Sequence, residues 1–165
     1  RANVPSALFC IVGSNPAPEV TELAKLPGVR VTGRVEDVRP YVRHAAVAVA
    51  PLRLARGVQN KVLEAMACGR ATVVTSQALE GIEAQAGRDV VLADGAADFG
   101  KAVTQLLRAP NAGLETAARR LVEARYGWEP NLLHVLELLR PLGGSGSTAR
   151  NGGDVDVARP SAAAT

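Results

Sequence analysis

Aromatic side chains make up only 3% of this 165-residue chain. A packed interior therefore has to come from Val, Leu, Ile and Ala. Cysteine is scarce as well: Cys10 stands in an apolar run and Cys68 at what reads as a helix end. Two lone cysteines without C-x-x-C spacing argue against a disulfide framework or a cysteine metal site, and fit reduced, buried thiols in a cytoplasmic protein. No apolar run approaches the roughly 18–20 residues of a membrane-spanning helix. The start lacks the basic-then-apolar layout of a secretory signal. An initiator Met is missing too, and the opening Arg1-Ala2-Asn3 reads as the edge of an excised or truncated piece. Neither sign of charge dominates. The formal net charge is +3 with the arginines scattered, which permits a small anionic ligand and gives no basic stripe for nucleic acid.

What the chain does have is 47% hydrophobic and 21% charged residues, the balance of one soluble domain with a real core. Residues 7–13 (ALFCIVG) form an apolar run ending at Gly, the pattern of a buried parallel strand. Helical spacing follows over 16–26, and a second strand over 29–33. Residues 37–45 read as a short helix with Asp37 in the N-cap position. A third strand covers 47–52 and a helix 58–67, closed by Gly69. Residues 71–76 and 90–93 supply two more strands around an irregular or briefly helical 77–88. From Asp98 onward, 99–107, 114–126 and 130–139 read as helices. After Pro141 the composition turns to Gly, Ser, Ala, Asn and Asp without periodicity, so 1–141 is expected to be one domain and 142–165 a disordered tail. Strands alternating with helices at this spacing predict an α/β, Rossmann-like parallel sheet covered on both faces. Such sheets bind ligands at the carboxyl ends of their strands, where the strand order reverses.

The segment with most chemistry is 51–69 (PLRLARGVQNKVLEAMACG). At 100° per residue, Val58, Val62, Ala65 and Met66 form one stripe suited to packing on the sheet. Gly57, Lys61 and Glu64 fall at i, i+4 and i+7 on the opposite side. A helix starting here would aim free backbone N–H groups around Gly57, Gln59 and Asn60, and its positive dipole end, at an anion. Gly57 lets a phosphate approach the backbone, Lys61 adds a charge one turn in, and Glu64 is spaced to accept bonds from two ribose hydroxyls. The plainer alternative is a solvated Lys61–Glu64 pair at i,i+3, worth about 0.2–0.5 kcal/mol. Spacing alone leaves both readings open.

Residues 60–76 (NKVLEAMACGRATVVTS) resemble the signature of family-four retaining glycosyltransferases, a Glu-Ala-Met-Ala-x-Gly helix end followed by a Val-Val strand. The similarity extends over roughly 5–140. Residues 7–13 resemble the family's apolar strand ending in Gly, 31–35 with Asp37 its Gly-x-Val-x-Asp turn, and 47–51 its strand ending in Pro. Tyr126-Gly127-Trp128 resembles the Phe-Ser-Trp near the family's C-terminus. Residues 56–64 with 77–82 (QALEGI) resemble, more narrowly, sugar transferases of exosortase and exopolysaccharide gene clusters.

This resemblance implies the nucleotide-sugar-binding C-terminal half of a GT-B glycosyltransferase of hexosyltransferase type. That half would hold a nucleotide-diphosphate sugar, without a metal or other cofactor, for retaining transfer to a glycan or lipid-linked acceptor. It implies that Glu64 binds the ribose, that Lys61 and the backbone at 57–60 hold the diphosphate, and that the backbone near Val35 meets the base. The first Glu of the family's Glu-x7-Glu pair would fall at Arg56, which either touches phosphate or is a solvated loop residue. The family's domain also begins one strand and helix earlier. Without that unit the piece is expected to be open along a gap in its sheet, and to be poorly stable or self-associating. The acceptor domain, and with it any general base, would lie outside the chain, so the piece alone is expected to be inactive and no catalytic residue is assigned. The implied setting is cytoplasmic, peripheral at the inner membrane in the complete protein. A nucleotide-sugar 2-epimerase on the same architecture, or a non-catalytic nucleotide-binding module, are the alternatives.

Other patterns carry less. Asp154-Val155-Asp156 has a metal-binding form but no strand to fix it. Residues 144–149 (GSGSTA) fit a loose dinucleotide fingerprint with no strand before them. His44 and His134 are expected to be structural, and Tyr126 and Trp128 to anchor the C-terminal helices.

Overall fold

Five short parallel strands, each followed by a helix, organise residues 4–139, which the computed structural model describes. In chain order these are β1 (Phe9–Ile11), α1 (Pro18–Glu22) with a 3-10 turn at Leu23–Lys25, β2 (Val29–Val31), α2 (Arg39–Arg43), β3 (Ala48–Ala50) and α3 (Asn60–Ala67). Then come β4 (Thr72–Val74), α4 (Ser76–Leu79), β5 (Val91–Leu92), α5 (Ala96–Arg108), α6 (Ala112–Arg125) and α7 (Trp128–Leu139). Every strand expected from the apolar runs is present, trimmed at its ends. The expected tail, the Asp-x-Asp and the Gly-Ser stretch lie outside the described residues.

The strands form two sheets. β1 pairs in parallel with β2, Phe9 opposite Val29 and Ile11 opposite Val31. β4 lies between β3 and β5, with Ala48 opposite Thr72 and Val73 opposite Val91. β1 and β3 are not hydrogen-bonded to each other. The ladder is thus in two parts, β1-β2 and β3-β4-β5.

Alternation along β4 shows how the core is divided. Val74 belongs to one buried cluster, with Ala50, Val62, Met66, Ala78, Ile82, Val90 and Ala118. Its neighbour Val73 points the other way, into a second cluster with Ala71, Ala93, Leu106 and Leu114. Successive strand side chains face opposite sides, so β4 is covered on both faces. The first 46 described residues contribute nothing comparable: none of residues 4–49 is buried, and Leu8 and Phe9 of the β1 region stay 57% and 44% exposed.

Local chemistry explains the element ends. Gly69 takes φ +65 just after α3. The Arg70 N–H then reaches the Ala65 carbonyl at 3.1 Å and the Gly69 N–H reaches Met66 at 2.9 Å, the paired bonds of a Schellman stop. Asn111 caps α6 by accepting from the Leu114 N–H at 3.0 Å. Asp37 acts one residue before the assigned cap of α2, accepting from the Arg39 N–H at 2.9 Å.

Four expectations need correcting. α3 starts at Asn60 rather than Val58, because Gly57 is left-handed and Gln59 extended (φ −90, ψ 95). Val58 therefore sits before the helix and is half exposed, while Val62, Ala65 and Met66 do form the buried stripe. Trp128 anchors nothing, being 83% exposed; Tyr126 does anchor, its hydroxyl accepting from the Glu83 N–H at 2.8 Å. Cys10 and Cys68 are free but only half-buried. α5 begins at Ala96, two residues before Asp98, behind a left-handed Gly95.

Candidate functional site

The loop 51–59 leaves β3 at its carboxyl end and delivers α3. Pro51 ends the strand, and Arg53, Leu54, Arg56 and Gly57 are exposed. Gly57, at φ +67, has open space where a Cβ would stand. It is needed for the left-handed turn and leaves the backbone bare. Gly57 thus precedes α3 rather than sharing its face, while Lys61 and Glu64 lie on α3 and are both exposed. The ion pairs among the described residues do not include one between Lys61 and Glu64, so the simple surface pair is not formed. Gln59 turns back on its own loop: Nε2 donates to the Gly57 carbonyl at 3.0 Å and to Arg56 at 3.4 Å. Asn60 opens the helix, and Val35 is half-buried in the segment after β2. His44 is exposed, its Nδ1 lying 2.7 Å from the Pro40 carbonyl; the side chain of His134 lies outside the described residues.

The first turns of the helices that follow strands differ in one respect. α1 carries Glu19 and α5 carries Asp98 in the first turn. α2 has Asp37 on its Arg39 amide. α4 has Asp94, whose carboxylate accepts from the Ser76 N–H at 3.0 Å and from the Ser76 hydroxyl at 2.7 Å. Those two bonds hold the Asp94 carboxyl below its ordinary range. Each of these helices has a carboxylate at the positive end of its dipole, although Asp37 is shared with Arg39 and Asp98 with Lys101. α3 does not: no side chain caps it, no acidic residue stands in its first turn, and Lys61 is there instead. The Val62 and Leu63 N–H groups reach the Gln59 carbonyl at 2.9 and 3.4 Å, while the amides of Asn60 and Lys61 precede the intrahelical ladder and are of the kind that binds an anion.

The loop rests on the segment after β4. The buried Thr75 hydroxyl donates to the Leu52 carbonyl at 2.6 Å and accepts from the Ala78 N–H at 3.3 Å. Gly81 faces the other end of the loop; a Cβ there would meet Val58 Cγ2 at 3.5 Å. Ser76, Gln77, Leu79, Glu80, Ile82, Ala84 and Leu92 line an open depression of about 510 Å³ on the far side of this segment. None of Arg56, Gly57, Lys61 or Glu64 borders it. A shallow concavity without them is a poorer candidate than the uncapped helix end, so the depression is set aside. Thr75, Ser76 and Asp94 were not singled out by sequence reasoning. A Thr just before a short helix is a recognisable cap signal, whereas nothing local marks Asp94 as the partner of a residue eighteen positions away.

Parallel strands that alternate with helices, with a loop and helix leaving a strand's carboxyl end, define the doubly wound α/β class of fold. The profile of the group 1 glycosyl transferases matches residues 1–109, and the chain belongs to that family. Among solved structures it resembles sucrose-phosphate synthase from Thermosynechococcus elongatus, with TM-score 0.71 and 24% identity over 86% of this chain and 40% of that one. Anabaena HepE in complex with UDP gives 0.72 and 16% over 84% and 42%. TarM gives 0.64 and 17% over 81% and 28%. The fold is thus that of the GT-B glycosyltransferases, and the chain spans less than half the length of these structures. No curated protein matches it.

Proposed function

We propose that this chain is the donor-binding part of a retaining glycosyltransferase, with the diphosphate of a nucleotide sugar at the amino end of α3. The observation that carries the reading is that α3 alone, among the helices following strands in the described residues, has neither a capping side chain nor an acid at its start. Gly57 gives backbone access, Lys61 adds a charge in the first turn, and Glu64, one turn further, grips the ribose. Gln59 shapes the loop through its nitrogen, Asn60 offers its amide, and Val35 marks the base end. Arg56, exposed and without an ion-pair partner among the described residues, is placed to reach phosphate. As the sugar leaves, negative charge grows on the diphosphate, where the helix end and Lys61 stabilise it without a metal.

The complete protein, in this reading, adds a strand and helix beside β1 and an acceptor domain, and the chain alone does not transfer a hexose. The absence of buried residues over 4–49 and the interrupted ladder support the added unit. Likeness to exopolysaccharide-cluster transferases supports a glycan or lipid-linked acceptor at the cytoplasmic face of the inner membrane. Among the described residues no helix is long and apolar enough to cross a membrane.

Titration calorimetry with UDP, GDP and ADP tests the donor assignment; UDP comes first because HepE is described with it. Glu64→Ala is expected to weaken nucleotide binding by about 1.5–3 kcal/mol, the usual worth of bonds to a charged group. Unchanged affinity in that variant removes the ribose assignment.

A further inference from the structure

The donor loop is tethered at both ends by one short segment. At its start, the Leu52 carbonyl receives the Thr75 hydroxyl at 2.6 Å. At its finish, Val58 lies against the α-carbon of Gly81, with 3.7 Å from the Val58 nitrogen to where a Gly81 Cβ would stand. Between these points the side-chain bonds belong to the loop itself, from Gln59 to the Gly57 and Arg56 carbonyls. The loop holds Leu54 92% exposed at its tip, so little apolar packing restrains it. Thr75 is the opposite: it is buried, and its hydroxyl donates chiefly to the Leu52 carbonyl, with Ala50 farther off at 3.5 Å, while it accepts from the Ala78 N–H in the first turn of α4. The Thr75 N–H adds a longer bond to the Ala50 carbonyl at 3.4 Å. One hydroxyl thus joins the end of β3, the end of β4 and the start of α4.

We propose that Thr75 is a positioning residue for donor binding, holding the loop 52–58 at the height from which α3 presents its amides and Lys61 to the diphosphate. The proposal rests on the donor-site reading given above. It requires a side chain that can donate and accept at the same atom in a buried place. Serine meets that need, whereas alanine and valine do not. Loss of the tether leaves the Leu52 carbonyl without its side-chain partner and frees a loop whose apolar hold on the core is the Leu52 side chain at its start. The variant must then order the loop each time the nucleotide binds, and affinity falls by the free energy of that ordering.

The test compares Thr75→Val, Thr75→Ala and Thr75→Ser in the full chain, with two readouts. The first is UDP affinity by calorimetry. The second is limited trypsin cleavage after Arg53 and Arg56, which reports loop opening whether or not nucleotide binds there. Thr75→Val and Thr75→Ala are expected to weaken UDP about 5- to 10-fold, the range of one lost buried hydrogen bond. They should also speed cleavage at these two arginines by a similar factor, with cleavage after Lys101 and Arg120 unchanged. Thr75→Ser should restore both. The alanine variant covers the case in which the valine methyl, forced against the Leu52 carbonyl, prevents folding. Wild-type cleavage rates at Arg53 and Arg56 in the alanine variant overturn the proposal, as does a serine variant no better than alanine. Failure of the donor reading itself looks different: Glu64→Ala then binds UDP as the wild type does, while the cleavage result still decides the tether.

Discussion

A single carboxylate ties together the turn that leads into β5. Asp89 is 1% exposed, accepts from Arg88 through both oxygens at 3.0 and 2.8 Å, and also accepts from the Gln85 N–H at 2.9 Å. The Arg88 guanidinium, first, and then the Gln85 amide hold its carboxyl below the ordinary value, against the effect of burial. Since the folded-state value is depressed, the stability contributed is complete above about 3.8 and is lost as pH falls through the lower folded value. Asp89→Asn should destabilise the chain by about 1–2 kcal/mol in urea at neutral pH, the lower range because Arg88 is half solvated. The variant should also show a shallower loss of stability below about pH 4 than the wild type. Asp89 bonds within its own turn, to Arg88 and Gln85, but nothing in the sequence marks an irregular turn as burying its carboxylate, and the bond from Thr75 to Leu52 spans 23 positions. Lys61 and Glu64 were visible because a 3.6-residue period separates an outer stripe from the buried Val62, Ala65 and Met66.

Elements were the most legible level, and their edges the least. Apolar runs located all five strands, since strands buried in a parallel sheet read as continuous hydrophobic stretches. The start of α3 was misplaced because helical periodicity continues backward through Val58, while the left-handed Gly57 and extended Gln59 forbid the helix there. Its end was read correctly from Gly69. A Cβ at that position would meet only Arg119 Cδ, at 4.0 Å. Gly69→Ala should therefore cost about 1–2 kcal/mol through left-handed strain alone. The check is a lower urea midpoint with an unchanged denaturant slope. A slope that changes as well would mean that the substitution disturbs more than the stop of α3.

Across the whole molecule, burial is uneven. The two apolar clusters are built from residues 50–118, whereas β1 and β2 hold each other with no buried side chain. Two parallel strands without a core are marginal alone. Amide exchange should show it: β1 and β2 are expected to open locally, with protection on the order of 100-fold below that of β4. Equal protection in the two sheets would show that they unfold as one unit. Pairing order was not legible, because hydrogen-bond partners between parallel strands leave no short-range mark in the sequence. The Asp94 carboxylate seated on Ser76 has a consequence at this scale as well. Acids stand at the starts of α1, α2, α4 and α5, two of them shared with Arg39 and Lys101, whereas α3 begins with none. Under the donor reading proposed above, a nucleotide diphosphate approaching from solvent would meet one helix start along this rim that carries no carboxylate of its own.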